Sequence, residues 1–301
     1  GSEARVDDPD DQKPGRQGIS SILNGNFYSL PGIRYSLLRP VLKLYSRDLG
    51  GAGKPPLIVL HGMLGSSRNW LSAGAELAQH WHVQALDLRN HGRSPHAESM
   101  TYEDLVDDVL NWMDLRGLTK ADLMGHSMGG KVAMLIACRH PNRVNRLMVI
   151  DIAPKSYKSA GSRAEFAAMH EINLAELKSR TEAELKMETR VLDWGMRKFL
   201  TTNLERNNSG GWRWAINLDA ITTALPELQE NHLLESDSSR KPALFVLGGR
   251  SRYVAEEDHA KIRAHFPSVS IEVIPESGHN PHMQNREAFT AAVATWAASV
   301  A

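Results

Sequence analysis

Short runs almost free of polar side chains recur along this chain: LIVLH (57–61), ADLMGH (121–126), RLMVID (146–151) and ALFVLGG (243–249). A strand with one face in water alternates apolar and polar residues, whereas a run apolar nearly throughout suits a strand covered on both faces. That condition is met in a parallel sheet sandwiched between helices. The intervening segments carry helical spacing: SSRNWLSAGAELAQH (66–80) follows the first run, the strand VQALDL (83–88) comes next, and a helix begins at Thr101. Asp104 sits there in a capping-box position, and Val106, Val109, Leu110 and Met113 supply the apolar face. KVAMLIACRH (131–140) reads as another helix. The order is βαβαβ, which predicts an α/β fold with a mostly parallel central sheet flanked by helices.

RYSLL (34–38) and VLKLYSR (41–47) read as a leading pair of strands. Between about 155 and 240 the pattern changes to helices alone, with EFAAMHEINLAEL, EAELKMETRVLDWGMRKFL and the Trp-rich GWRWAINLDAI, as expected of an inserted helical cap. The α/β rhythm resumes in ALFVLGG, a helix near 255–265, the strand SIEVIPE (270–276) and a helix from about 285. The expected organisation is a disordered lead-in over 1–20, in which Gly1-Ser2 reads as a cleavage scar. A first part of the core follows over 21–154, then a cap over 155–240 and a second part of the core over 241–301.

Basic and acidic side chains balance at 35 each, leaving no global field to attract nucleic acid, anionic lipid or a highly charged substrate. A small, neutral or mildly polar partner is expected, and the protein is expected as a monomer or homodimer. No run approaches the ~20 apolar residues of a membrane span. The single cysteine, Cys138, forms no internal disulfide and reads as buried packing. Cytoplasmic localisation is the simplest expectation, with a removed organelle-targeting segment left open.

Gly125-His126-Ser127-Met128-Gly129 matches G-x-S-x-G at a strand-to-helix junction. In that setting the serine is lifted out of the sheet on a strained turn, and Gly125 and Gly129 must be small to avoid it. The helix that follows aims backbone N–H groups at the place where an oxyanion develops, with Met128 as one donor. His61-Gly62-Met63-Leu64-Gly65 leaves the neighbouring buried strand, and its Met63 N–H is the second candidate donor.

A neutral hydroxyl is a weak nucleophile and needs a base, usually a histidine held by a carboxylate. His279 follows the last predicted strand, with His282 as fallback. For the acid, a G-x-x-D-x-x-V arrangement after ALFVLGG is the common location, yet Gly248, Ser251 and Val254 place serine in that slot. Asp151 ends the preceding buried strand and can reach the same histidine; Glu256, Glu257 and Asp258, expected inside the next helix, are stand-ins.

Asp87 and Arg89 in DLRNHGRS (87–94) read as groups that satisfy a structural turn, and Trp194, Trp212 and Trp214 are candidates for lining an acyl pocket. No His/Cys/carboxylate cluster has metal-ligand spacing, and no phosphate-binding glycine motif occurs, so neither metal nor cofactor is expected.

Across about residues 33–300 the chain resembles the α/β-hydrolase superfamily. Within it, the chain is most similar to small YbfF-type bacterial esterases and related mitochondrial α/β-hydrolase-domain proteins. The resemblance rests on HGMLGSS (61–67), DLRNHGRSP (87–95), GHSMGGK (125–131), DIAP (151–154), GGRSRYV (248–254) and SGH (277–279). It implies a serine carboxylesterase or thioesterase acting on acyl esters or acyl-CoA without a cofactor, and an acid in the DIAP segment, hence Asp151. A carbon–carbon bond hydrolase with the same triad, or a non-catalytic small-molecule receptor, are the alternatives. The chain departs from the group at Asn280, where tryptophan often follows the histidine.

Overall fold

The computed structural model describes residues 40–157 and 161–300. The expected lead-in and the strand expected at 34–38 lie outside them. Along the chain, β1 (Ser46–Asp48) and β2 (Pro56–Leu60) are followed by α1 (Leu71–Leu77), β3 (His82–Leu86), α2 (Tyr102–Asp114), β4 (Ala121–His126), α3 (Met128–Arg139) and β5 (Val144–Ile150). An insertion then carries α4 (Gly161–His170), α5 (Arg180–Lys186), α6 (Trp194–Thr201), β6 (Leu204–Arg206), β7 (Trp212–Trp214) and α7 (Leu218–Gln229). β8 (Ala243–Gly248), α8 (Asp258–His265), β9 (Val269–Ile274), α9 (Pro281–Gln284) and α10 (Arg286–Ser299) complete it.

Seven strands form one sheet in the order β1-β3-β2-β4-β5-β8-β9. Only β1, on the edge, runs antiparallel to its neighbour. The apolar runs are buried on both faces because successive side chains point to opposite sides of the sheet. Leu57 and Val59 join Trp70, Trp81, Phe289 and Val293 on one face, while Ile58 and Leu60 join Trp112, Val132 and Ile136 on the other.

Three expectations need correcting. In VLKLYSR only Ser46 and Arg47 pair in the sheet, because the Leu42 N–H bonds Asp108 Oδ1 at 2.6 Å instead of a neighbouring strand. The helix expected at 66–80 opens as a 3-10 turn over Ser67–Trp70, and α1 ends at Leu77. The insertion is not helical throughout: β6 and β7 pair antiparallel, Leu204 opposite Trp214 and Arg206 opposite Trp212. Asn207 turns that hairpin by accepting N–H bonds from Ser209 and Gly211, with Gly210 at φ 82°.

The cap is packed down firmly. Met169, Leu200, Leu204 and Ile221 are fully buried in the apolar cluster that also holds Ile58 and Val132. Each large aliphatic group withdrawn from water contributes roughly 1.5–3 kcal/mol. Lys131 adds a polar tether from α3, donating to the carbonyls of Gln229 (3.2 Å) and Glu230 (2.6 Å) at the C-terminal end of α7, where a cation suits the helix dipole. Burial lowers its pKa to about 8, with Glu230 opposing. Among the described residues no helix is long and apolar enough to cross a membrane.

Candidate active site

The chain leaves β2 toward β3 on one side and later returns to β4 on the other, so the strand order reverses between β2 and β4. Ligand crevices of open parallel sheets lie outside the carboxyl ends of the strands at such a switch point. Here those ends are His61-Gly62-Met63 and His126-Ser127-Met128.

Ser127 adopts φ 51°, ψ −117°, a conformation that side chains other than glycine rarely take. Surrounding backbone enforces it. A Cβ on Gly125 would lie 2.1 Å from the Gly129 carbonyl oxygen, and one on Gly129 would lie 2.6 Å from that of His61. The Ser127 N–H is held by the Ile150 carbonyl at 3.1 Å. Its hydroxyl has no hydrogen-bond partner among the described residues. A Cβ on Gly62 would meet the Ser127 Cβ at 3.2 Å, so the 61–65 loop rests directly against the elbow. The N–H groups of Met63 and Met128 likewise lack a protein acceptor among the described residues.

Two histidines to which sequence reasoning assigned no holding role fix that loop. His61 Nδ1 donates to the Gly62 carbonyl (2.8 Å) and its Nε2 accepts from the Leu88 N–H (3.0 Å). His91 answers in the opposite sense, Nδ1 donating to the Arg89 carbonyl (2.8 Å) and Nε2 accepting from the Leu64 N–H (3.2 Å). Each ring therefore carries its proton on Nδ1 and is neutral. Burial drives the pKa of both down, His91 to about 3 with His61 beside it adding to the effect. The partner loop is itself fixed by Asp87, which accepts N–H bonds from Ser67 (2.6 Å) and Arg93 (2.9 Å). Arg89 braces it by clamping Asp108 with Nε (2.7 Å) and a terminal nitrogen (2.8 Å).

Asp151 leaves β5 at φ 51°, a positive φ that aspartate tolerates better than most residues. Its carboxylate is fully buried and has three donors: the Gly248 N–H (2.9 Å), the Ser251 hydroxyl and His279 Nδ1 (2.7 Å). The serine standing in the slot where an aspartate was looked for thus bonds the aspartate that lies one strand away. His279 is held on three further sides. The Tyr253 ring stacks on its imidazole at 3.6 Å and 11°, and the carbonyl of His279 accepts from His126 Nε2 at 2.7 Å. Gln284 Oε1 accepts the N–H of Gly278 at 2.8 Å. Asp151 and His279 are in contact; the Ser127 hydroxyl and the imidazole are brought to the same sheet edge without a hydrogen bond between them among the described residues. Such bonds often tighten only when substrate is bound.

The other candidates are placed elsewhere. His282 stacks on Trp70 at 4.4 Å, and burial holds its pKa at about 3. Asp258 pairs with Lys155 and accepts the Ala255 N–H (2.9 Å). Glu256 and Glu257 are exposed and precede α8 rather than lying within it. Trp194 is exposed beneath Lys198 (4.3 Å), and Trp212 lies against Arg206 (4.0 Å) and Arg180 (5.5 Å). Trp214 packs half-buried on the core. The narrow space beside the elbow, ≈ 20 Å³, is instead lined by Met63, Phe199, Asn280, His282 and Met283. Among the described residues one trio has ligand atoms close enough for a metal, Glu103, Glu227 and His232. His232 turns Nε2 to Glu227 (3.2 Å) and Nδ1 toward Glu103 (3.9 Å).

A strained serine at a switch point, beside a buried carboxylate–imidazole pair, is the architecture of a hydrolase. Residues 55–178 match the alpha/beta hydrolase fold family model, and the chain belongs to that family. It is 35% identical over 268 residues to the sn-1-specific diacylglycerol lipase ABHD11 of Mus musculus, covering 87% of each chain. It is 30% identical over 238 residues to Esterase YbfF of Escherichia coli (strain K12), covering 79% of this chain and 91% of that one. Among solved structures it superposes on a marine microorganism esterase with TM-score 0.82 at 35% identity, covering 85% of this chain and 99% of the other.

Proposed function

We propose that the protein is a serine carboxylesterase that cleaves short- to medium-chain acyl esters through an acyl-enzyme intermediate. The observation that carries this reading is the Asp151–His279 contact of 2.7 Å at the sheet edge that also presents the Ser127 elbow. His279 Nε2 takes the hydroxyl proton as Ser127 Oγ attacks the ester carbonyl. Asp151 keeps the proton on Nδ1 and stabilises the imidazolium. The N–H groups of Met63 and Met128 receive the oxyanion, and collapse expels the alcohol with the proton from Nε2. Water, deprotonated by the same nitrogen, then releases the acid. The names of the mouse lipase and bacterial esterase relatives support ester hydrolysis as the chemistry. The cap covers the acyl site, where ≈ 20 Å³ admits about one water. A chain therefore enters by displacing Phe199 and Met283, which line it.

Asp151→Asn tests the assignment. Turnover of a p-nitrophenyl ester should fall about 10³–10⁴-fold, since the wrong tautomer is then favoured, while Asp258→Asn should keep most of it. The reverse ranking would move the acid to Asp258.

A further inference from the structure

A second, larger cavity of ≈ 600 Å³ opens between the core and the cap and shares Asn69, His282 and Met283 with the space beside the elbow. Its wall is more basic than the balanced chain as a whole. Arg68, from the 3-10 turn after β2, and Arg286, from α10, line it on the core side; Arg180 of α5 and Lys198 of α6 line it on the cap side. Glu184 is the single acidic group on the wall. Arg286 is neutralised by Glu76, and Arg180 spends a guanidinium nitrogen on the Leu204 carbonyl at 2.6 Å. Arg68 and Lys198 have no ion-pair partner among the described residues, the Lys198 ammonium lying over the exposed Trp194 ring at 4.3 Å, and they line the cavity from the core and the cap respectively.

We propose that this cavity is an anion subsite that receives a phosphate carried on the alcohol portion of the ester, a specificity that rests on the esterase reading above. One carboxylate would be satisfied by a single arginine fork. Cations from two walls without a carboxylate partner among the described residues suit a dianion with three acceptor oxygens, which can bridge a guanidinium and an ammonium at once. A concave, cation-lined cleft also concentrates field and substrate locally whatever the net charge of the chain. The acyl carbonyl would lie at Ser127 and the alcohol would extend past Asn69 and His282 into the cavity. Because phosphate and reacting carbonyl are separate, the subsite contributes binding common to ground and transition states, and its loss raises KM with little change in kcat.

The test compares kcat/KM for three esters of one acyl chain: a neutral glycerol ester, the glycerol 3-phosphate ester and the coenzyme A thioester. For the double substitution Arg68→Gln/Lys198→Gln, the ratio of phosphate-bearing to neutral substrate should fall at least tenfold through KM. The wild-type ratio should fall as salt rises from 20 to 500 mM, because screening reaches these groups. Lys261→Gln on α8 should leave the ratio in place. Whichever of the two phosphate substrates loses more identifies the source of the anion. A ratio unchanged by the double substitution overturns the proposal. Binding of glycerol 3-phosphate to Ser127→Ala, measured by calorimetry with and without the cation substitutions, reads the subsite independently of turnover. Binding of equal strength in both forms, or none, also overturns it, whereas absent turnover with intact, cation-dependent binding would indict the esterase reading alone.

Discussion

Acid should unfold this protein through its buried imidazoles before its carboxylates titrate. His91 and His282 are buried, and each is held neutral with a pKa of about 3. Unfolded, each takes its proton near 6.5. Between those values the unfolded chain binds more protons, so the stabilisation is fully present above pH 6.5 and is lost as pH falls toward 3. At pH 5 each group then costs about 2 kcal/mol, and the two together cost about 4 kcal/mol out of a typical ~5–15 kcal/mol. His61 and His126, also pushed down by burial, act in the same direction. Urea unfolding followed by tryptophan fluorescence at pH 7.5, 6 and 5 should give a free energy that drops by at least that amount, with the melting temperature falling by about 10 °C. His91→Gln should flatten the slope by about one proton, roughly 1.4 kcal/mol per pH unit below 6.5. A stability constant within about 1 kcal/mol from pH 7.5 to 5 would refute the neutral, interlocked histidines.

Ser251→Ala removes a donor from the buried carboxylate of Asp151; kcat/KM should fall about 10–100-fold with the fold retained by circular dichroism. An unaffected enzyme would show that Asp151 does not work through this network. Gly62→Ala places a Cβ 2.7 Å from His126 Nδ1 and 3.2 Å from the Ser127 Cβ, displacing the loop that carries the Met63 N–H. It should lower kcat about 10²–10³-fold, in the range of a lost oxyanion donor, with a smaller change in KM; unchanged kcat would remove Met63 from the mechanism.

Much of the fold and the candidate site was legible because both depend on local rules. Apolar runs marked the buried strands, the Thr101–Asp104 capping box formed as expected at 3.0 and 3.1 Å, and glycines flanking Ser127 announced a turn in which a Cβ would clash. The empty aspartate slot pointed to Asp151, and Ser251 meets it there. Features built from long-range partners were not legible. Nothing in HGM or NHG says that His61 and His91 exchange backbone bonds across 27 residues, or that His126 grips the backbone of His279 from 153 residues away. The β6–β7 hairpin was missed although Trp212-Arg213-Trp214 alternates with the period of a strand and Asn207–Gly211 carries turn residues. Aromatic content suggested a pocket role for those tryptophans, yet Trp194 is exposed with Lys198 of its own helix over the ring, and Arg206 of the paired strand lies over Trp212. A net charge is likewise silent about cations gathered around one cavity, because it is a sum over the chain.

The claim at the centre of this account is that His279, oriented by Asp151, makes Ser127 nucleophilic. Time-resolved mass spectrometry of fluorophosphonate labelling at pH 7.5 measures that directly. The account predicts one adduct, on Ser127, formed orders of magnitude more slowly in His279→Ala; an adduct elsewhere, or equal rates in the two proteins, would contradict it.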